Sequence, residues 1–147
     1  MKSPILTLIL GFFLTVPSHA QNIPRACDFF FKTQNLCASL QWMTQPSGMN
    51  ADGSFRLLFW RKDQSSEVLV APTAASIGVK LYMPGMGHGG GLVQVTPTHD
   101  SNGNVLTGEF DATRVGFMMS GMWEIIVQLR DGSAKPIDSA QINYQAP

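Results

Sequence analysis

Apolar and polar residues alternate with a period of two in several short stretches of the chain. The clearest stretch is residues 123–130, in which Trp123, Ile125, Val127 and Leu129 alternate with mostly more polar neighbours. Successive side chains of a strand point to opposite faces of a sheet, so this period predicts a strand whose interior set begins at Trp123. Helical periodicity is nearly absent, and clusters of Gly, Pro, Asn and Asp separate the stretches. The pattern predicts an all-β fold, either an antiparallel sandwich or a barrel.

Other stretches predict further strands. Residues 38–43 alternate in the same way and are followed by a loop at residues 45–53, whereas residues 55–60 are apolar on both faces and predict a central strand. The pair Asn102-Gly103 predicts a tight hairpin, because these residues tolerate positive φ angles. Shorter candidate strands are residues 67–70, 78–82, 92–96 and 137–144.

Residues 1–20 have the features of a secretory signal peptide. Lys2 precedes an apolar run at residues 5–16, and the small residues Ser18 and Ala20 occupy the two positions that define a cleavage site. The run is too short for a comfortable membrane span, which disfavours the alternative of an uncleaved anchor. Cleavage leaves 127 of the 147 residues, a length that fits one domain. We therefore predict a periplasmic or secreted protein with no membrane attachment after cleavage.

The two cysteines, Cys27 and Cys37, lie near the start of the mature chain. Oxidising compartments favour a disulfide between them, which would contribute roughly 2 to 3 kcal/mol through the entropy of the unfolded chain. The alternative is a pair of thiolate metal ligands, although paired cysteine ligands are usually closer in sequence. We predict a loosely packed N-terminal arm at residues 21–36, pinned by the cysteines, and a β-sandwich domain at residues 37–147.

The charge balance excludes two classes of partner. Loss of Lys2 with the signal peptide leaves nine Lys and Arg residues against ten Asp and Glu residues, a net charge of −1. No basic stripe is present to bind nucleic acid, and no polybasic or amphipathic segment is present to hold the mature protein on a membrane.

A loop at residues 81–91 carries the most specific chemistry in the chain. Met83 and Met86 bracket a Pro-Gly pair, and His88 follows two positions later among glycines. Thioether sulfur and imidazole nitrogen are neutral, soft ligands that suit copper and Cu(I) in particular, whereas Ca²⁺ and Mg²⁺ need oxygen ligands that this loop does not offer. The sequence predicts a copper site made of Met83, Met86 and His88.

A second group of methionines comes directly before the strand that begins at Trp123. Met118, Met119 and Met122 would complete a sulfur-rich shell of three or four ligands if their strand pairs near the Met83 to His88 loop. Ordinary packing is an equally favoured interpretation for each of them, because methionine fills irregular gaps in protein cores. The period of two places Met122 on the opposite face from Trp123.

Enzymatic interpretations find little support. Ser120, His99 and Asp111 supply the residue types of a hydrolase triad, but no Gly-x-Ser-x-Gly elbow is present. The glycines of residues 85–91 are not followed by the Lys-Ser/Thr pair and the helix that a phosphate-binding loop requires. His99 is also a weaker ligand candidate than His88, because it ends a strand before a polar turn. A copper enzyme would need more histidines than the two of the mature chain, so we predict no catalytic activity.

Three segments together carry a family resemblance. The motif Met-Pro-Gly-Met-Gly-His-Gly at residues 83–89, with residues 108–110 and 119–125, resembles the YtkA-like family of exported or membrane-tethered bacterial domains, which is related in pattern to FixH. The resemblance covers residues 54–130. It implies an immunoglobulin-like antiparallel β-sandwich of about seven to eight strands and a role in copper handling. The resemblance also implies that Met83, Met86 and His88 are the metal ligands, with the methionines before Trp123 as supplementary ligands.

These observations lead to one expected function and one alternative. We expect a periplasmic Cu(I) chaperone or copper-handling factor that passes the ion to a copper acceptor or an oxidase-assembly protein, because neutral thioether ligands release Cu(I) to stronger donors. The alternative is a secreted immunoglobulin-like interaction module with no physiological metal, in which the methionine-rich loops form an adaptable apolar surface.

Overall fold

The chain folds as two antiparallel sheets packed face to face. The structure, a computed structural model, describes residues 24–49 and 51–147. These residues form nine strands and no helix, which confirms the predicted all-β fold as an immunoglobulin-like sandwich. The predicted signal peptide at residues 1–20 lies outside this part of the chain. Over the described ranges, no helix has the length and apolar character needed to cross a membrane.

The nine strands divide into sheets of five and four. In chain order they are β1 (Phe29–Phe31), β2 (Leu36–Thr44), β3 (Gly53–Arg61), β4 (Ser76–Met83), β5 (His88–Gly89), β6 (Gln94–His99), β7 (Val105–Val115), β8 (Gly121–Arg130) and β9 (Pro136–Ala146). The larger sheet has the order β1-β2-β3-β7-β6, and the smaller one has the order β5-β4-β8-β9. The strand predicted to be central, at residues 55–60, is β3, which pairs with β2 on one side and β7 on the other.

The core lies between the two sheets and follows the period of two. Trp123, Ile125, Val127 and Leu129 of β8 are all fully buried, as their alternation predicts. The facing sheet contributes an equally buried set from β3, namely Phe55, Leu57 and Phe59. Burial of a large apolar side chain stabilises the folded state by about 1.5 to 3 kcal/mol. Removal of any one of them would therefore cost a large part of the net stability of a domain of this size.

The N-terminal segment is more closely integrated than the sequence predicts. Phe29–Phe31 forms an edge strand of the larger sheet, and the side chains of Phe29 and Phe31 are fully buried. The difference arises because two of these aromatic rings face the core, so the sandwich begins before residue 37. Cys27 and Cys37 form a disulfide with their Cα atoms 5.1 Å apart, which confirms the predicted bridge and removes both sulfurs from the set of metal ligands.

One predicted strand is reduced to a single bridge. Residues 67–70 meet β3 at the Trp60 to Leu69 bridge, and the Val70 N–H donates to the Phe59 carbonyl at 2.9 Å. Val68 is exposed, so this segment has no continuous apolar face to bury in a sheet. By contrast, the predicted Asn-Gly turn does join two strands, β6 and β7, and Gly103 there has a φ of 85°.

The two open sides of the sandwich differ. On one side β1 lies against β9, and the Thr33 N–H donates to the Asp138 carboxylate at 2.8 Å. On the other side β4 lies near β6, but these two strands belong to different sheets and do not pair. A cavity of about 660 Å³ opens along β4 on that side.

Candidate metal centre

Met83 and His88 close a tight hairpin between β4 and β5. They are directly opposite partners across the two strands, and side chains of such partners lie next to each other on one face. The Met86 and Gly87 N–H groups both donate to the Met83 carbonyl, at 3.2 and 3.0 Å. Gly87 has a φ of 69°, a left-handed conformation that glycine adopts without a steric cost. The segment predicted to be a loop is thus an ordered turn that sets Met83 beside His88.

Met83 is part of the hydrophobic core. Only 8% of its surface is exposed, and it belongs to the cluster of buried residues between the sheets. Its methyl group lies against Gly121, where an added Cβ would be 2.9 Å from Met83 Cε. The missing side chain at Gly121 therefore makes room for the thioether. Packing therefore fixes the position of the Met83 side chain.

The indole of Trp123 links the hairpin to the second methionine group. Its ring lies 6.5 Å from the His88 ring, between centroids, in an edge-to-face arrangement. Its Nε1–H donates to the Met119 carbonyl at 3.0 Å, and Met119 packs against the core as a partly buried residue. Tyr82 pairs with Glu124, so the next position along β4, Met83, lies beside Trp123. Met83, His88 and Met119 therefore gather at the same end of β8.

The other three nominated residues occupy more exposed positions. Met86 lies at the tip of the hairpin turn and is 61% exposed. Met122 pairs with Gln145 and is exposed on the face opposite the buried Trp123, as the period of two predicts. Met118 lines a separate hollow of about 600 Å³ together with Leu92. The structure brings Met86 to the rim of the Met83 and His88 pair but does not bring Met118 and Met122 onto the same face.

The residues of the weaker sequence candidates have other surroundings. His99 pairs with Val105 at the end of β6, in the larger sheet, where it is exposed. The carboxylate of Asp111 accepts a hydrogen bond from Arg56 Nε at 2.7 Å. This hydrogen bond raises the pKa of the Arg56 guanidinium above its usual range, against a smaller opposing effect of burial. Asp111 therefore forms an ion pair with Arg56 on the outer face of the larger sheet.

The donor set at the hairpin suits a soft ion. Within residues 24–49 and 51–147, no three His, Cys, Asp or Glu side chains lie together in a way that could hold a metal. A metal at this end would depend on the sulfurs of Met83 and Met119 together with the His88 ring. His88 Nδ1 lies 3.5 Å from the Gly89 carbonyl, and a tautomer protonated at Nδ1 would leave Nε2 free as a ligand. Two thioethers and one imidazole fit Cu(I) better than any hard cation.

Sequence reasoning missed the walls of this site. Gly90 is a position of close approach, because an added Cβ would lie 2.8 Å from Leu81 Cβ and 3.4 Å from the Trp123 ring. Gly121 makes room for Met83 in the same way. The signal was present as glycines flanking the His88 motif and preceding Trp123, but the neighbours that crowd them come from other strands.

Comparison with protein-family models, with curated proteins and with solved structures finds no match for this chain. The resemblance to the YtkA-like family stays a prediction that depends on the motifs at residues 83–89, 108–110 and 119–125.

Proposed function

We propose that this protein binds Cu(I) at the Met83 to His88 hairpin and passes the ion to an acceptor protein outside the cytoplasm. The observation that carries the proposal is the direct cross-strand pairing of Met83 with His88. Two soft donors separated by four residues in sequence are thereby fixed side by side. The Trp123 indole fixes the backbone of Met119 at the same end of the sheet by donating to its carbonyl, and we assign the Met119 thioether as the third donor.

The exposure of the donors suits transfer of the ion. Met83 and Met119 are mostly covered by the core, while Met86 is exposed at the tip of the turn. Met86 would meet the incoming or outgoing ion first and hand it to the more protected donors. All four ligands are neutral with histidine deprotonated, so an acceptor with thiolate ligands would draw Cu(I) away. The arrangement favours a carrier of copper and requires no reaction.

A competition titration against a chromogenic Cu(I) chelator tests this proposal. The test variant combines Met83→Leu, Met119→Leu and His88→Ala, because leucine preserves most of the volume of a buried methionine. The matched control changes two exposed methionines and one exposed histidine elsewhere, with Met43→Leu, Met49→Leu and His99→Ala.

The test variant is expected to lose more than about 100-fold in Cu(I) affinity, since even changes outside the ligand shell of metal sites cost about 10- to 100-fold. The control variant should bind like the unchanged protein. Near-ultraviolet circular dichroism of each variant establishes that its tertiary structure is retained. Equal affinities in a folded test variant and its control would refute the copper site.

A further inference from the structure

A groove that is not part of the metal centre runs along the outer edge of β4. It has a volume of about 660 Å³ and is open to solvent. One wall is the strand β4, and the other is the connection at residues 89–93. The floor is formed by outward-facing residues of β8, including Ile126 and Gln128.

The backbone of β4 is unpaired along this groove. β5 pairs with β4 only at Tyr82 and Met83, and the Gly90 N–H then donates to the Leu81 carbonyl at 2.8 Å. Backbone groups of alternate residues in a strand point the same way, so those of Val79 and Ile77 point to the same side as Leu81. Among the described residues, neither has a strand partner on that side. This edge can therefore accept an additional strand.

The opposite wall leaves room for such a strand. Residues 89–91 are all glycine, and an added Cβ at Gly91 would meet no atom within 4 Å. Leu92, which follows, is 93% exposed. Ile126 is only partly buried on the floor. A backbone entering the groove would thus find apolar side chains on two sides and no side chain from the glycines in its path.

The charged residues of the groove determine the direction in which a bound chain would run. The Arg130 guanidinium lies over Gly78 and donates to the Gln128 side chain at 2.9 Å, while its Nε is buried without a hydrogen-bond partner. No described carboxylate lies within salt-bridge distance of Arg130 or of Lys80, which is exposed two positions from Gly78 on the same face. The opposite end of the groove carries Glu124. The groove is therefore cationic from its Arg130 end to Lys80 in the middle of β4, and anionic at Glu124 near the hairpin.

We propose that this groove binds an extended peptide segment of another protein, which adds to β4 as an antiparallel strand and places a terminal carboxylate at Arg130. The segment would take the position that β5 would occupy if it continued past Gly89. Strand addition at an open edge gains affinity from backbone hydrogen bonds and specificity from side-chain contacts. A carboxylate at Arg130 would make charge-assisted hydrogen bonds with the guanidinium. This site does not depend on the metal centre, although the two adjoin at Gly89.

The test uses the full mature chain and a short synthetic peptide of alternating Val and Thr that ends in Asp with a free carboxylate. A matched peptide ends instead in Lys with an amidated terminus. Binding is followed by amide resonances in nuclear magnetic resonance spectra and by hydrogen exchange. The acidic peptide should shift and protect the amides of Ile77 and Val79, and the basic peptide should bind at least about tenfold more weakly.

Three variants make the proposal refutable. Arg130→Gln should weaken the acidic peptide about tenfold, whereas Arg61→Gln, which removes an exposed arginine paired with Asp63 in the larger sheet, should not. Gly91→Leu should block binding by filling the groove without disturbing the fold, since its side chain starts in open space. Equal binding of both peptides, or no change at Ile77 and Val79, would overturn the proposal.

Two further outcomes distinguish this site from its rivals. Protection of Ile77 and Val79 that rises with protein concentration in the absence of peptide would show that a second copy covers the edge, and would overturn the proposal of a peptide partner. The variant of Met83, Met119 and His88 should retain full peptide binding. The copper proposal and the peptide proposal can therefore fail separately.

Discussion

The rings of His88 and Trp123 meet edge to face, with their centroids 6.5 Å apart and their planes inclined by 74°. His88 lies on the partly exposed turn, whereas Trp123 is the largest fully buried side chain of the core. This contact joins the candidate metal ligand to the interior of the sandwich. Binding of a cation to the His88 ring would therefore change the environment of the Trp123 indole.

We expect Ag(I), a redox-stable substitute for Cu(I), to quench the fluorescence of Trp123. A heavy soft cation held by His88 and Met83 would lie near the indole, because the His88 and Trp123 ring centroids are 6.5 Å apart. Trp123→Phe should abolish the quenching, while Trp42→Phe, which changes a tryptophan on the larger sheet, should leave it intact. The reverse pattern would place the silver ion away from the hairpin.

We expect the disulfide to stabilise the fold without a role in metal binding. Replacing both Cys27 and Cys37 by Ser should lower the free energy of unfolding by about 2 to 3 kcal/mol, because the bridge closes a short loop in the unfolded chain. Urea denaturation measures the loss. Cu(I) affinity of the folded double variant should be unchanged, and a decrease would mean that the bridge positions the site.

Gly108 should be far less replaceable than Gly103. Both have positive φ angles, of 74° and 85°, but an added Cβ at Gly108 would lie 2.7 Å from the Val70 carbonyl oxygen, whereas the space at Gly103 is open. Gly103→Ala should cost about 1 to 2 kcal/mol from backbone strain alone. Gly108→Ala should cost on the order of 3 to 4 kcal/mol, because the Val70 backbone must also move. If both variants lost the same free energy of unfolding in urea denaturation, the Val70 backbone would be able to move away from the new side chain at little cost.

The β6 to β7 turn should weaken in acid through Asp100. Its carboxylate accepts hydrogen bonds from the Asn104 side chain and from the N–H groups of Asn104 and Asn102, and these lower the pKa of Asp100 below its usual value. A lowered pKa in the folded state means that the stabilisation is complete above about pH 4 and is lost as the pH falls through the folded value. Asn104→Ala should raise the pKa of Asp100, as measured by a carboxyl carbon titration. An unchanged pKa would assign the effect to the backbone donors.

The fold was predictable wherever apolar residues alternate with polar ones. Residues 123–130 show the period directly and belong to β8. This strand and β4 are the two interior strands of the smaller sheet. β1 escaped prediction because three consecutive phenylalanines have no alternation. β5 escaped because its two residues lie in a run of glycines, and only the register with Met83 makes them a strand.

The candidate site was predictable as far as its ligands are local in sequence. Met83, Met86 and His88 belong to one turn, so their proximity follows from chain geometry. Which of the later methionines approaches them depends on the pairing of β4 with β8, and that pairing is not encoded in any short segment. Of the three, Met119 is the one whose backbone carbonyl accepts a hydrogen bond from the Trp123 indole, and the proposed third donor is chosen on that ground. Spacing alone leaves Met118, Met119 and Met122 equivalent.

The Thr33 N–H donates to the Asp138 carboxylate and links the two sheets on the β1 and β9 side, while the chain at residues 90–93 links β5 to β6 on the opposite side. With both sides linked, small excursions would be confined to the β4 to β5 turn, at whose tip Met86 is exposed. Such partial openings require far less free energy than global unfolding. The sulfur of Met83, enclosed at rest, would be uncovered in each of them, so an ion could leave the interior while the rest of the domain stays intact.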